Sequence, residues 1–531
     1  MLEAEYSNVI AKLDADKIAF HFGDETVMAQ LACVEGKTLR IGEFVYDKVI
    51  IPFCETLDRK TVELLHEYLD NGGRLCMLYD APTRVDGKIH DLGFLKSNLS
   101  YDEIKDSQGV RIKHGYGSDA LHIQTRVFDG KRIIFITNTS ADEYVDVEIT
   151  VKDCNGLAGV DVKTLTAFPM RGKINSDGSV SVLYDFGESG SCVLIESDTE
   201  LLSFTPSAPQ RVMSLEREFD VCGNTENMLT LDTAAVSLNG SDFTDIRPIV
   251  RIKDNLLKER FEGAVSLRYY FTVDELPKSL VFVCEPMRYT SIKVNGKSST
   301  FDDGWRFDRS FCVSDLTDTV HIGENYVELT FDYFQSDWVY TVLYGGGNEA
   351  LRNCLAFDTE IESAYLFGDF AVSSRSDFVE DAKNSLRTEG PFAIKKRKET
   401  VDITNIVSDG YPFFAGTLTV QKEFFYRSGE PTLLKLDGRF SACKIRLNGK
   451  PINTSLFQNT YELAEHLVKG NNKLEIDLCT SNRNLLGPHH AHDPEPRWVA
   501  PRTFSFEKDW NGDECKNYEY RYSFVKQGLF V

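Results

Sequence analysis

The chain has 531 residues, room for three or four domains at about 150 residues each, and with 42% hydrophobic and 27% charged residues it is neither disordered nor fibrous. Lys and Arg number 59 against 82 Asp and Glu, a net charge of −23 that repels polyanions and argues against a nucleic-acid partner. No window approaches the ~20 apolar residues of a membrane span, and Met1-Leu-Glu-Ala-Glu-Tyr6 has neither the basic start nor the apolar stretch of a signal peptide, so no membrane contact and a cytoplasmic location are expected.

Residues 1–100 have α/β character. Lys17–Phe22 and Lys48–Phe53 are strand candidates; Asp58 is placed to cap a helix whose buried face carries Val62, Leu65 and Leu69. Asn71-Gly-Gly73 ends that helix and Arg74–Tyr79 is the next strand, which predicts a right-handed parallel unit. A parallel sheet needs both faces covered, and little sequence precedes this one, so the domain is expected to be cut short, Met1 being an internal start of a longer protein or another chain completing the domain.

Within 101–205 the period changes to two. Leu121–Val127, Arg132–Thr137 and Val145–Val151 are strands, and Asp129-Gly130 and Asp177-Gly178 are hairpin turns, which predicts a small antiparallel β-sandwich.

Residues 206–531 contain an internal repeat. Ile292-Lys-Val-Asn-Gly-Lys297 recurs 153 positions later as Ile445-Arg-Leu-Asn-Gly-Lys450, and Gly323-Glu-Asn-Tyr-Val-Glu-Leu329 recurs 147 positions later as Gly470-Asn-Asn-Lys-Leu-Glu-Ile476. Gly263–Phe271 likewise matches Gly416–Phe424. Asn-Gly supplies the two left-handed residues of a tight hairpin turn. A period near 150 is too long for a solenoid or propeller blade, and two tandem jelly-roll β-sandwiches, 206–380 and 381–531, are predicted. The expected fold is therefore a mainly β multidomain chain.

The twelve cysteines are scattered singly, mostly inside apolar runs, as with Cys76, Cys192 and Cys284; they are expected to be reduced and to pack as small hydrophobes. Asn138-Thr-Ser140 and Asn453-Thr-Ser455 match a glycosylation pattern, which without an export signal is expected to be fortuitous.

Phe414–Phe424, Ile445–Lys450 and Leu467–Ile476 together resemble the sugar-binding jelly roll of glycoside hydrolases of the β-galactosidase and β-glucuronidase kind. The tail Ser481-Asn-Arg-Asn-Leu-Leu-Gly-Pro-His-His490 resembles the end of large bacterial glycosidases related to α-L-rhamnosidases. Val49-Ile-Ile-Pro52 and Gly72-Gly-Arg-Leu75 make the first domain similar to the flavodoxin-like, trimerisation-type domain that follows the catalytic barrel in several β-galactosidases. The resemblance implies the non-catalytic C-terminal half of such an enzyme. No series of eight strand and helix units is present to hold catalytic carboxylates, so no catalytic residue carries over. It implies an oligo- or polysaccharide ligand and a separate barrel-bearing chain or a homo-oligomer as partner; the alternatives are a stand-alone carbohydrate-binding protein, or an enzyme with its site between the jelly rolls. No cofactor is implied.

Saccharides are held by aromatic faces on their C–H surfaces, with carboxylates, amides and guanidinium groups on the hydroxyls. That composition recurs at Trp305 beside Asp302 and Asp303; at Asp337-Trp338-Val-Tyr340, followed by Tyr344 and Gly345-Gly-Gly347; and at Trp498 beside Arg497. With aromatic residues at 11% of the chain, such clusters are more often core than ligand contacts. His489, His490, His492 and Asp493 lie in a proline-rich loop for which three uses are open: a metal site, a ligand- or domain-contacting loop, or an ordered surface loop. Glu360 and Glu362, expected on one strand face, and Asp369 form the best carboxylate cluster, with a solvated face as the simpler explanation.

Overall fold

The computed structural model describes residues 2–530 except 108, 114–117, 163, 207–210, 224, 347, 453–459, 497, 505 and 507–517. The chain is mainly β, with 43% strand and 14% helix, and the described residues form many small antiparallel sheets and no closed barrel. It divides into two compact units, 1–209 and 210–531.

In the first unit, strands Lys48–Ile51 and Arg74–Met77 pair in parallel through the helix Arg59–Asp70, as predicted. Asp58 sits at the helix start without making a side-chain cap. The helix buries Leu64, Leu65 and Tyr68, while Val62 and Leu69 pack at the margin of the core. Tyr68 accepts a hydrogen bond from the Arg74 N–H (3.0 Å) and donates to the Asp47 carbonyl (3.1 Å), tying the helix to both strands. Its ring explains Gly73, where a Cβ would lie 2.4 Å from it.

The expected strand at Lys17–Phe22 does not form. The helix Leu2–Ala15 ends there in a left-handed cap, Lys17 having φ +58°; the Ile18 N–H returns to the Leu13 carbonyl and the Lys17 N–H to that of Asp14, both at 2.9 Å. The backbone that would have joined a sheet instead closes a helix. An antiparallel meander, Ala32–Glu35, Thr38–Ile41 and Phe44–Tyr46, comes before the parallel pair.

From Val110 onward this unit is a two-sheet sandwich. Leu121–Phe128, Lys131–Asn138, Ser191–Glu196, Leu157–Asp161 and Thr166–Pro169 form one sheet; Arg171–Ile174, Val180–Phe186, Tyr144–Val151 and Val110–Lys113 form the other. Alternate residues from both meet in a core that includes Ile134, Ile136, Val147, Ile149, Val182 and Leu194. Asp129 and Gly130 are both left-handed, the paired turn the sequence predicts, whereas at Asp177-Gly178 only the glycine is. Asn138 is buried, and its amide donates to the carbonyls of Asp142 and Gly187 (2.7 and 2.9 Å), so the first glycosylation pattern is occupied structurally; Asn453 lies outside the described residues.

In the second unit the repeat is a repeat of structure. Gly263–Val273, Gly323–Tyr333, Tyr289–Val294 and Lys297–Ser299 are neighbours in that order; Thr417–Tyr426, Gly470–Cys479, Ala442–Leu447 and Lys450–Ile452 reproduce it. Asn295-Gly296 and Asn448-Gly449 are left-handed pairs in both hairpins. The likeness extends to a side-chain lock. Asn325 donates from Nδ2 to the carbonyls of His321 (2.7 Å) and Gly323 (3.1 Å), and its Oδ1 accepts from the His321 N–H (3.0 Å) and Asn295 Nδ2 (2.8 Å). Asn472 does the same with Val468 (2.7 and 2.9 Å), Gly470 (2.9 Å) and Asn448 (2.9 Å). Each turn asparagine in turn accepts the N–H of the facing strand, Tyr326 or Lys473.

The two copies are interlaced. Glu218–Cys222, ahead of the first copy, pairs with Thr417–Tyr426 of the second, and Phe392–Lys395 pairs in parallel with Gly263–Val273. One apolar core runs through both, from Phe219 to Leu529.

Asn325 and Asn472 are buried, so removing either amide strands several backbone groups. Asn325→Ala and Asn472→Ala are each expected to lower the stability of this unit by about 3 kcal/mol in denaturant titration, and the exposed control Asn353→Ala by less than about 0.5 kcal/mol.

Candidate functional site

The helix Ile249–Glu259 follows Pro248, whose fixed φ suits a helix start. Ile249, Ile252, Leu256 and Leu257 are its buried residues, and the polar side chains Arg251 and Lys253 lie between them in sequence. Glu360, Glu362 and His490 are reached through its side chains.

Lys253 bonds Glu362 at 2.6 Å and lies 4.4 Å over the Phe357 ring. Glu285 and Glu360 are half-buried beside this pair. Burial first, then neighbouring carboxylates, hold both above the usual range; the Glu285 carboxyl is raised by Glu360, Glu362 and Asp308, that of Glu360 by Glu362, with Lys253 opposing. Tyr269 donates to the Glu362 carbonyl (3.0 Å) and Tyr289 to that of Glu285 (2.6 Å), fixing the backbone under both acids. Tyr365 is buried among them and stacks on Phe311 with ring centroids 6.0 Å apart; burial, then Glu362, Glu285 and Asp232, raise its phenol.

Asp308, one source of the field at Glu285, belongs to the loop of Trp305. Trp305 is 49% exposed. Arg306 ties the loop to Glu226 (3.1 Å) and donates to the Trp305 carbonyl, while the Arg309 guanidinium lies 5.8 Å over the indole. Asp302 accepts from the Asp315 N–H (2.7 Å) and so anchors the loop. An exposed indole, guanidinium groups and acids therefore share one region.

Two residues before Lys253, Arg251 lies over Phe506, Phe506 meets Tyr518, and Tyr518 stacks on His490 (centroids 4.7 Å). His490 Nδ1 faces the carbonyls of Glu519 (2.7 Å) and Arg521 (3.1 Å), and Nε2 faces Asp232 at 3.0 Å. Acceptors stand at both nitrogens, an arrangement that favours the imidazolium, in which both carry hydrogen. Burial opposes its charge, yet Asp232 and the carbonyls outweigh that and raise the His490 pKa; burial likewise opposes the Asp232 charge, and His490, His489 and Tyr522, which donates at 2.7 Å, bring that carboxyl down. With no free nitrogen, His490 is a clamp and not a base.

The other candidates are dispersed. His489 is 6% exposed, against Phe413 and Phe524, and burial lowers its pKa to about 4. His492 pairs with Glu519 at 2.5 Å and Asp493 with Lys383 at 2.7 Å, so the loop side chains diverge; among the described residues no three His, Cys, Asp or Glu are placed to hold a metal ion. Asp337, Trp338, Tyr340 and Tyr344 form one short helix, Asp337–Tyr344. Trp338 (58%) and Tyr344 (59%) are exposed, while Tyr340 (6%) is core and lies under the Arg260 guanidinium at 4.6 Å. Trp498 is exposed, and Arg497 and Gly347 lie outside the described residues. Residues 360–362 precede the strand Ala364–Gly368 and do not belong to it, because Ile361 turns into the core and Glu362 is drawn to Lys253. Asp369 is taken up by Arg397 (3.1 Å) and Lys278 (3.6 Å).

Sequence inspection missed Asp232, Glu285, Lys253 and Tyr518. Asp232 had a signal: it interrupts the apolar run Met228-Leu-Thr-Leu-Asp-Thr-Ala-Ala-Val236, where a charge requires a partner.

No family model matches the chain, and no curated protein matches it. Among solved structures it is similar to a rhamnosidase from Novosphingobium sp. PP1Y, with 13% identity over 66% of this chain and 36% of that one and a TM-score of 0.28. A β-glucuronidase of Ruminococcus gnavus has 13% identity over 50% and 44%, TM-score 0.21; one of Faecalibacterium prausnitzii has 11% over 46% and 41%, TM-score 0.20. The chain spans little more than a third of the rhamnosidase and less than half of the glucuronidases. The likeness is distant and partial and concerns the fold alone.

A raised carboxyl favours the folded state while protonated, an advantage present below the unfolded pKa and lost as pH rises through the folded one. Glu360→Gln is accordingly expected to raise the unfolding midpoint at pH 7 and leave it unchanged near pH 4. For the raised His490 the sign is the same: the advantage of the native protein over the double variant Asp232→Asn/His490→Gln should be full near pH 6 and fall as pH rises above the raised value, as read from thermal unfolding at successive pH values.

Proposed function

We propose that this chain is an accessory carbohydrate-binding region of a glycoside hydrolase, acting beside a catalytic barrel carried elsewhere. The observation that carries this reading is the Trp305 loop: a half-exposed indole with Arg306 next to it and the Arg309 guanidinium over its ring, in a loop whose Asp308 acts electrostatically on Glu285. Those groups match the two faces of a sugar, with C–H surface on the ring and hydroxyls on the charged groups. The resemblance of the repeated segments to sugar-binding jelly rolls agrees with it. The α/β segment would then be a flavodoxin-like packing domain, the partner a barrel-bearing chain or further copies, and the compartment the cytoplasm, in keeping with the free state of the described cysteines.

A second reading is favoured by the raised carboxyls of Glu285 and Glu360, which suit a general acid. One set of measurements separates the two. Under the accessory reading, a glycan array shows binding by the chain alone, Trp305→Ala weakens it about tenfold, and aryl glycosides are not turned over. Turnover abolished by Glu285→Gln or Glu360→Gln would establish the second reading and overturn the first.

A further inference from the structure

A separate cleft of about 940 Å³ opens on the antiparallel pair Ala371–Ser374 and Phe392–Lys395, in the upper range for a small-molecule site and roomy enough for an oligosaccharide. Lys395, Lys396 and Lys398 line it. They belong to Lys395-Lys-Arg-Lys398, the one run of four cations in a chain of net charge −23. Arg397 does not line the cleft; it pairs with Asp369 and donates to the Gly223 carbonyl. Lys398 is paired with Asp409, whereas Lys395 and Lys396 enter no ion pair among the described residues.

The other lining groups complete a saccharide-like set. Ser374 is fixed by Thr388 (2.7 Å) and accepts from the Ser376 N–H (3.2 Å); Ser376 donates to the Gly390 carbonyl (2.8 Å), so both hydroxyl oxygens are held in place with lone pairs to spare. Phe378, backed by Phe524 at 6.0 Å, gives an aromatic wall. Of the three carboxylates in the lining, Glu380 is neutralised by Lys526 at 2.6 Å, leaving Glu275 and Asp377 as acceptors for hydroxyls.

We propose that this cleft binds an anionic oligosaccharide, its carboxylate or sulfate held by the ammonium groups of Lys395 and Lys396 and its hydroxyls by the serines and free carboxylates. The site is distinct from the Trp305 region and stands or falls independently of it.

The test is calorimetric titration of the intact chain with trigalacturonic acid, a heparin-derived tetrasaccharide and neutral maltotriose at low salt. At least one anionic probe should bind at least tenfold more tightly than maltotriose, the better of the two identifying the anion as carboxylate or sulfate, and should weaken as salt screens the charges. Lys395→Gln/Lys396→Gln should lose at least tenfold, and Trp305→Ala should stay within twofold. Both lysines are at least partly exposed, so the double variant is expected to fold, which an unchanged unfolding midpoint verifies; the single exposed change Lys396→Glu gives the same reading independently. Absence of binding by both anionic probes, equal binding of maltotriose, or an affinity within twofold in a folded lysine variant overturns the proposal.

Discussion

The second unit depends on a buried amide that satisfies backbone groups no strand can reach. At the start of each long central strand the chain leaves a loop through a left-handed glycine, Gly323 or Gly470, and exposes carbonyls and an N–H to the interior. Asn325 and Asn472 bond these groups and reach across to the turn asparagine of the neighbouring hairpin. A water-exposed loop would not need the amide, and an apolar side chain could not replace it. Loop, central strand and hairpin are thereby fixed together in both copies, and the apolar faces can meet in one core.

On this frame the helix Ile249–Glu259 organises the polar chemistry. Its apolar residues are buried in the core, and its cations engage an acid at Lys253 and an aromatic stack at Arg251. The acids around Lys253 outnumber it, which leaves Glu285 and Glu360 under electrostatic stress; the Asp232–His490 pair is balanced and serves as a tie between distant parts of the chain. Such unequal satisfaction is a common mark of ligand sites, where stability is given up for reactivity or affinity.

Features encoded locally were legible in the sequence. Asn-Gly at both hairpins, Asp129-Gly130 and the strand–helix–strand around Asp58 depend on a few neighbouring residues, and the structure contains them where expected. The error at Lys17–Phe22 was also local: an apolar alternation resembles a strand, but the preceding helix needed its first residues for a cap. The site was less legible because its pairs are remote. His490 meets Asp232 across 258 positions and Lys253 meets Glu362 across 109, distances over which periodicity carries no information. Burial of Tyr340 and His489 against exposure of Trp305 and Trp338 likewise depends on tertiary packing that composition does not reveal.

The interlacing of the two copies bears on how this half of the molecule can come apart. Because Glu218–Cys222 completes the sheet of the later copy and Phe392–Lys395 extends that of the earlier one, neither can melt while the other stays whole without baring an unpaired sheet edge. Duplication here has produced a single cooperative body, so damage in one copy is felt as loss of both.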